Sequence, residues 1–305
     1  MQTDLDRRRP MKWRNLLAPG FAAVLCLCAI VSAQQKVLYE KDSPYNSIVV
    51  TEDDRGMRTL WFEKGGARQS VVKVGDPGHI ELPYARAMLA GLALVEKPER
   101  MLVVGLGGGT IPGFLHKHYP RATIDAVDID PDVVTVARKY FGFRDDATLH
   151  AYVDDGRRFI EKSPGRYDVI FLDAFGSESI PYHLTTREFL QAVRRALTPQ
   201  GIAVANVWSS YSNPLYDSMV QTYQDVFQEL HVLDVSGAGN KILLALPRKE
   251  QITRNQLARR AQEVSRQKHF RFDLGKLVTY GHQYPATQPS SGHVLTDKNR
   301  PNDAE

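Results

Sequence analysis

Apolar positions along this chain follow two rhythms, and the change from one to the other marks out its elements. From Lys36 to Val74 apolar and polar residues alternate, as in Ser47-Ile-Val-Val-Thr51 and Thr59-Leu-Trp-Phe62, with Gly65 and Gly66 as a turn. Period-two alternation broken by glycine predicts a small antiparallel N-terminal β-unit. Between Leu82 and Leu94 the spacing becomes helical. A short continuous apolar run follows at Leu102 to Val104, and further strands are predicted at Ala122 to Asp128, Thr148 to Val153 and Tyr167 to Asp173, each ending in or running into an acid. Runs without alternation suit strands buried on both faces of a parallel sheet, so the chain reads as α/β. Further helices are predicted over 130–140, where Asp130 is a cap and Pro131 the first helical residue, and over 186–197 and 211–230. Strands are predicted over 201–208, 231–235 and 241–246. From Pro247 the chain turns polar, and beyond Tyr284 it is rich in Pro, Ser and charge, where disorder is expected.

The first parallel strand runs directly into Gly105-Leu-Gly-Gly-Gly-Thr110. Gly105, Gly107 and Gly109 permit positive φ and close approach of a ligand to the backbone, and the next helix offers unpaired N–H groups. A dinucleotide fingerprint needs glycine at position 110, where this chain has threonine. The second strand ends in Asp128, about where a carboxylate accepts both ribose hydroxyls. The third runs into Asp154 and Asp155, either of which can accept from an adenine amino group or cap the following helix. The fourth places Asp173 on the same carboxyl edge, where ligands of open α/β sheets sit. Together these point to a nucleoside pocket.

The chain resembles the spermidine and spermine synthases, and within them the bacterial spermidine-synthase-like subgroup. The resemblance covers roughly residues 45 to 246 and rests on the glycine loop, Val127-Asp-Ile-Asp130, Asp155-Gly156 and Tyr167-Asp-Val-Ile-Phe-Leu-Asp173. Ile180-Pro-Tyr-His-Leu-Thr-Thr-Arg-Glu-Phe189 and Val294-Leu-Thr-Asp297 add to it. It implies a class I methyltransferase-like, Rossmann-like sheet with the small N-terminal β-unit. It also implies aminopropyl transfer from decarboxylated S-adenosylmethionine to a small-molecule amine, with no metal. Asp173 then matches the catalytic aspartate, Tyr84 the tyrosine that orients the amine, and Gln69 the glutamine closing the β-hairpins. Two departures concern the amine half: the family's loop aspartate is Thr110 here, and its D-x-x-D reads Asp173-Ala-Phe-Gly176, with Glu178 two residues on. Fewer carboxylates weaken discrimination against intact S-adenosylmethionine. Methyl transfer to an amine or other nucleophile, and a non-catalytic exported nucleoside-binding domain, stay open as alternatives.

With 305 residues, 43% of them hydrophobic, the chain can hold one large domain and a small one. The expected division is a leader over 1–33, the β-unit over 34–80, the nucleoside-binding catalytic domain over 81–250 and a polar tail over 251–305. Of the formal charge of +4, the first 33 residues carry +3, which leaves a nucleic-acid reading no basis. The leader joins a basic start, an apolar core from Asn15 and Val31-Ser-Ala33, and reads as a secretory signal cleaved after Ala33; a membrane anchor is the alternative. Export would place the protein in the periplasm, away from the cytosolic supply of S-adenosylmethionine; without the leader the protein would be cytoplasmic. Cys26 and Cys28 both fall in the leader, so the mature chain has no disulfide. A homodimer stays open. His116 and His118 read as ordinary helix residues, Tyr182 and His183 as shaping the loop after Asp173 or touching substrate, and Trp208 as core or pocket wall.

Overall fold

The computed structural model describes residues 35–176, 179–283 and 292–299. The leader, Glu178 and the stretches 284–291 and 300–305 of the expected disordered tail lie outside them. Strands β1 (Lys36–Asp42), β2 (Ser47–Glu52), β3 (Met57–Trp61) and β4 (Arg68–Lys73) form an antiparallel sheet in chain order. On one face Ile48, Val50 and Leu60 pack against Val133, Val136 and Phe141, while Met57 and Val71 join the main core from the other. The alternation in the sequence therefore buries both faces of this sheet, which holds it against the larger one.

The larger sheet contains β5 (Arg100–Val104), β6 (Thr123–Asp128), β7 (Leu149–Val153), β8 (Tyr167–Leu172), β9 (Leu197–Trp208), β10 (Glu229–Asp234), β11 (Asn240–Leu246) and β12 (His282–Gln283). Its order is β12-β10-β11-β9-β8-β5-β6-β7. The five strands from β9 to β7 are parallel, and the pairings β9 with β11, β11 with β10 and β10 with β12 are antiparallel. Helices cover both faces, so residues of one strand feed two cores: Met101 and Val103 one, Leu102 and Val104 the other. From β5 the chain goes to β6 on one side and returns after β7 to β8 on the other. That reversal opens a crevice at the carboxyl ends of β5 and β8, where ligands of such sheets sit.

Helices α1 (Pro83–Met88), α2 (Thr110–His118), α3 (Pro131–Tyr140), α4 (Gly156–Glu161), α5 (Arg187–Ala196) and α6 (Tyr216–Val226) follow the parallel strands or bridge to them. Leu89–Leu94 continues α1 as a tighter 3-10 turn. Asp130 caps α3, accepting from the Asp132 N–H, with Pro131 at the first helical position as its chemistry predicts. The helix expected over 211–230 is shorter: Glu229 is drawn into β10, and its carboxylate accepts the N–H groups of Glu250 and Gln251.

The polar tail also differs from expectation. It folds into α7 (Arg254–Gln267), opened by a Thr253/Gln256 capping box, and α8 (Leu274–Gly281). Leu257, Ala261, Leu274 and Val278 are fully buried. A stripe this narrow on a charged helix hides in composition, yet four-residue spacing seats it on the core. The large domain thus runs past 250 to β12, and residues 292–299 dock back through the buried Leu295. No helix among the described residues is long and apolar enough to cross a membrane.

At the reversal Gly105 has φ +96°, and a Cβ there would run into the Asp173 carbonyl. Gly105→Ala is expected to cost roughly 1–3 kcal/mol. Urea unfolding checks this; an unchanged midpoint would show that the two strand ends do not depend on the close approach.

Candidate active site

The crevice is a cavity of about 390 Å³. Its floor is the loop from β5 to α2, where Gly105 and Gly107 both have positive φ and expose main chain. Asp128, Asp155 and Asp173 meet the cavity from the ends of β6, β7 and β8, while Gln69, Ser70 and Tyr84 close it from β4 and α1. Seven of the residues expected at the site are therefore brought together. Gly109 and Asp154 are not. Gly109 precedes α2 in the left-handed conformation, backed by Phe143. Asp154 pairs with Lys162 at 3.4 Å and Arg158 at 3.5 Å, which leaves the cavity to its neighbour.

Asp128 is held by the strand-to-helix turns on either side. Its Oδ2 accepts the Leu106 N–H at 2.9 Å and its Oδ1 the Asp130 N–H at 3.0 Å. Burial pushes its carboxyl up to about 6, against the pull of these N–H groups. Asp155 does two things at once: Oδ1 caps α4 through the Arg158 N–H at 2.9 Å, and Oδ2 lies 2.9 Å from His183 Nε2. His183 itself lines the cavity, so the loop after β8 is tied to the wall after β7. Tyr182 turns the other way and donates to the carbonyls of Thr296 and Asn299. Trp208 stands behind the wall, edge-on to the cavity-lining Phe175 at 6.2 Å.

Asp173 is the most perturbed carboxylate. Burial pushes it up to about 7, opposed by hydrogen bonding to Asn206. Asn206 donates to Asp173 Oδ1 at 2.9 Å and in turn accepts from Asn240 at 2.8 Å. Both asparagines are buried, so this relay fixes the carboxylate from behind. Sequence reading missed Asn206, although an amide inside the apolar run from Ile202 to Val207 is a visible signal. Tyr84 donates to the Gln69 carbonyl at 3.0 Å, and burial beside Asp173 holds its own hydroxyl well above the usual range.

Two more features escaped the sequence. Ser70 Oγ lies 2.8 Å from Thr110 Oγ1, so the threonine is occupied by the small sheet. The loop between β1 and β2 brings Tyr45 and Asn46 to the rim, and Asn46 Oδ1 is buried there with no partner among the described residues. Three carboxylates line the cavity, and among its described lining residues there is no Lys or Arg. Such a wall suits a cationic nucleoside better than a pyrophosphate. His116 bonds toward Thr148, and His118 toward the Lys268 carbonyl within an aromatic cluster. No group of three metal-binding side chains occurs among the described residues.

Fold and pocket together define a transferase of the class I methyltransferase-like type. The chain belongs to the spermine/spermidine synthase family, whose domain model matches residues 82–234. The polyamine aminopropyltransferase of Vibrio vulnificus is 38% identical over 231 residues, covering 72% of this chain and 76% of that protein. A structure of human methyltransferase-like protein 13 in complex with SAH is 33% identical, with TM-score 0.57, over 62% of this chain and 93% of that one. A spermidine synthase in complex with the transition-state analogue AdoDATO shares the fold at TM-score 0.62 and 21% identity, covering 79% and 82%.

A carboxyl raised from 3.8 to about 7 keeps a proton in the fold that the unfolded chain releases. Asp173 therefore costs stability progressively as pH rises from about 4 to 7, and fully above 7. Asp173→Asn removes that cost and is expected to stabilise the protein at pH 8 by on the order of 1 kcal/mol, and by less at pH 5. Thermal melts at the two pH values check this; an equal shift at both would contradict the raised carboxyl.

Proposed function

We propose that the protein transfers an aminopropyl group from decarboxylated S-adenosylmethionine to an amine, with Asp173 as the base. One observation carries this reading: a carboxylate buried to a value near 7, fixed by Asn206, stands beside the glycine loop in a cavity lined by acids. Among the described lining residues no Lys or Arg offers a partner for the carboxylate of intact S-adenosylmethionine.

Asp128 is suited to the ribose hydroxyls and Asp155 to the adenine amino group, each with its orientation set by the helix-start N–H groups it accepts. Gly105 and Gly107 let the nucleoside approach the main chain. The acceptor arrives as an ammonium and gives its proton to Asp173, and the freed nitrogen lone pair attacks the aminopropyl carbon next to sulfur. The carbon–sulfur bond breaks with its electron pair going to sulfur, and neutral methylthioadenosine leaves. Tyr84 and the Gln69 carbonyl fix the direction of approach.

Methyl transfer from intact S-adenosylmethionine is the second reading. Thr110 favours it, because a neutral residue tied to Ser70 does not repel a carboxylate. The likeness to the human methyltransferase-like protein points the same way. We also propose that the leader directs export, on its basic, apolar and small-residue order; a mature chain starting at Gln34 by intact mass would support it, and a retained leader would not.

Mass spectrometry of the products tests the main reading. An amine incubated with protein and decarboxylated S-adenosylmethionine should gain an aminopropyl group, at a rate rising with pH through about 7 as Asp173 loses its proton. Asp173→Asn should lower turnover about 10²- to 10⁴-fold while sparing nucleoside binding. Methylated product from intact S-adenosylmethionine alone would transfer the assignment to the second reading.

A further inference from the structure

We infer that residues 292–299 form a strap that tunes the cavity for its nucleoside from outside it, with Asp297 as a positioning residue that acts through Arg157 and His183 on Asp155. The inference rests on the proposed pairing of Asp155 with the adenine amino group; which group is transferred does not enter it.

The strap is anchored at one residue and acts from another. Its anchor is the fully buried Leu295, whose N–H donates to Thr222 Oγ1 on α6 at 2.9 Å and whose carbonyl accepts the Arg187 N–H at the start of α5 at 2.8 Å. Asp297, two residues on, is exposed. Its carboxylate accepts both arms of the Arg157 guanidinium, at 2.8 and 2.7 Å, and the Thr186 hydroxyl at 2.8 Å. A bidentate pair fixes the plane of a guanidinium as well as its position. Arg157 directly follows Asp155 and Gly156, which line the cavity, and it donates to the His183 carbonyl at 3.4 Å. One residue earlier, the Tyr182 hydroxyl reaches the strap itself at the carbonyls of Thr296 and Asn299. The segment carrying His183 is thereby held by the strap through both main chain and side chain.

That segment meets Asp155 at the cavity. His183 Nε2 lies 2.9 Å from Asp155 Oδ2, while Oδ1 caps α4 through the Arg158 N–H. With both oxygens engaged, the carboxylate presents its remaining lone pairs to the cavity in one direction. Arg157 ties the start of α4 to the His183 segment, and Asp297 holds the tie. Without the Asp297 charge the guanidinium is left to Glu161, one turn along α4 at 3.0 Å; His183 then loses its support and Asp155 its second contact. An ion pair as exposed as this one contributes little to folding, so position accounts for it better than stability does.

Calorimetry on the full chain tests this with methylthioadenosine and methylthioinosine, which carries an oxygen in place of the 6-amino group. Asp297→Asn is expected to weaken methylthioadenosine binding about tenfold and methylthioinosine binding far less, with thermal melting nearly unchanged. Arg157→Gln should do the same, and the double variant no more than either alone, because both act through one contact. Tyr182→Phe removes only a hydroxyl; it should lower the preference for methylthioadenosine by about two- to fivefold, and it keeps the test available if Asp297→Asn does not fold. Equal losses for both probes, or additive losses in the double variant, overturn the inference. A wild-type protein that binds neither probe, or binds both alike, defeats the pairing of Asp155 with adenine and the strap's role with it. A wild-type preference that survives unchanged in Asp297→Asn and Tyr182→Phe defeats the strap alone.

Discussion

The close approach of Gly105 to the main chain of Asp173 is the constraint on which the site depends. β5 and β8 are hydrogen-bonded neighbours whose following loops must part at the crevice, and they can part there only because the first residue after β5 has no side chain and takes φ +96°. The Asp173 N–H still bonds to the Val104 carbonyl at 2.8 Å, so the two strand ends stay locked until the last residue before the cavity. One glycine thereby sets the distance between the glycine loop and the Asp173 carboxylate, the two groups to which the proposed reaction gives the nucleoside and the acceptor. Precise placement of a base relative to a reacting carbon is where an enzyme of this kind obtains much of its rate.

Behind that contact the protein accepts an electrostatic cost. Asp128 and Asp173 are both pushed above the ordinary carboxylate range by burial, and each is held by neutral donors in place of a cation. Main-chain N–H groups serve Asp128, and the Asn240 to Asn206 relay serves Asp173. A lysine or arginine would have stabilised either carboxylate more, but it would also have cancelled the negative field that draws a sulfonium ion and an ammonium ion together. Elsewhere the same fold does pair its buried acids with bases: Asp125, inside the sheet, is surrounded by His150, Tyr167, Arg100 and Arg166. Asp128 and Asp173 thus stand at the cavity without a base, whereas Asp125 inside the sheet is paired, as expected if function sets the first two and stability the third.

Much of this was legible in the sequence because it is local. The continuous apolar run Leu102 to Val104 marked the first parallel strand, and the acids at the ends of the neighbouring strands marked the carboxyl edge. Asp130 with Pro131 declared the start of α3 through chemistry that needs no tertiary context. What stayed hidden depends on pairing between distant segments. Asp154 and Asp155 are equivalent in sequence, and only the turn into α4 decides that Asp155 faces the cavity while Asp154 meets Lys162. Asn206 lies 33 residues from Asp173, and their hydrogen bond exists because β8 and β9 are neighbours. The C-terminal helices were missed for different reasons: α7 buries too few residues to stand out against its charged faces, and α8 is only eight residues long, although Leu257 and Leu274 are fully inside.

The choice between decarboxylated and intact S-adenosylmethionine tests the assignment most directly, because it asks whether an acid-lined cavity lacking Lys and Arg among its described lining residues rejects a carboxylate. Calorimetric titration of the protein with each compound at pH 8, where Asp173 is ionised, gives the answer. Aminopropyl transfer predicts tighter binding of the decarboxylated form; tighter binding of intact S-adenosylmethionine would contradict it.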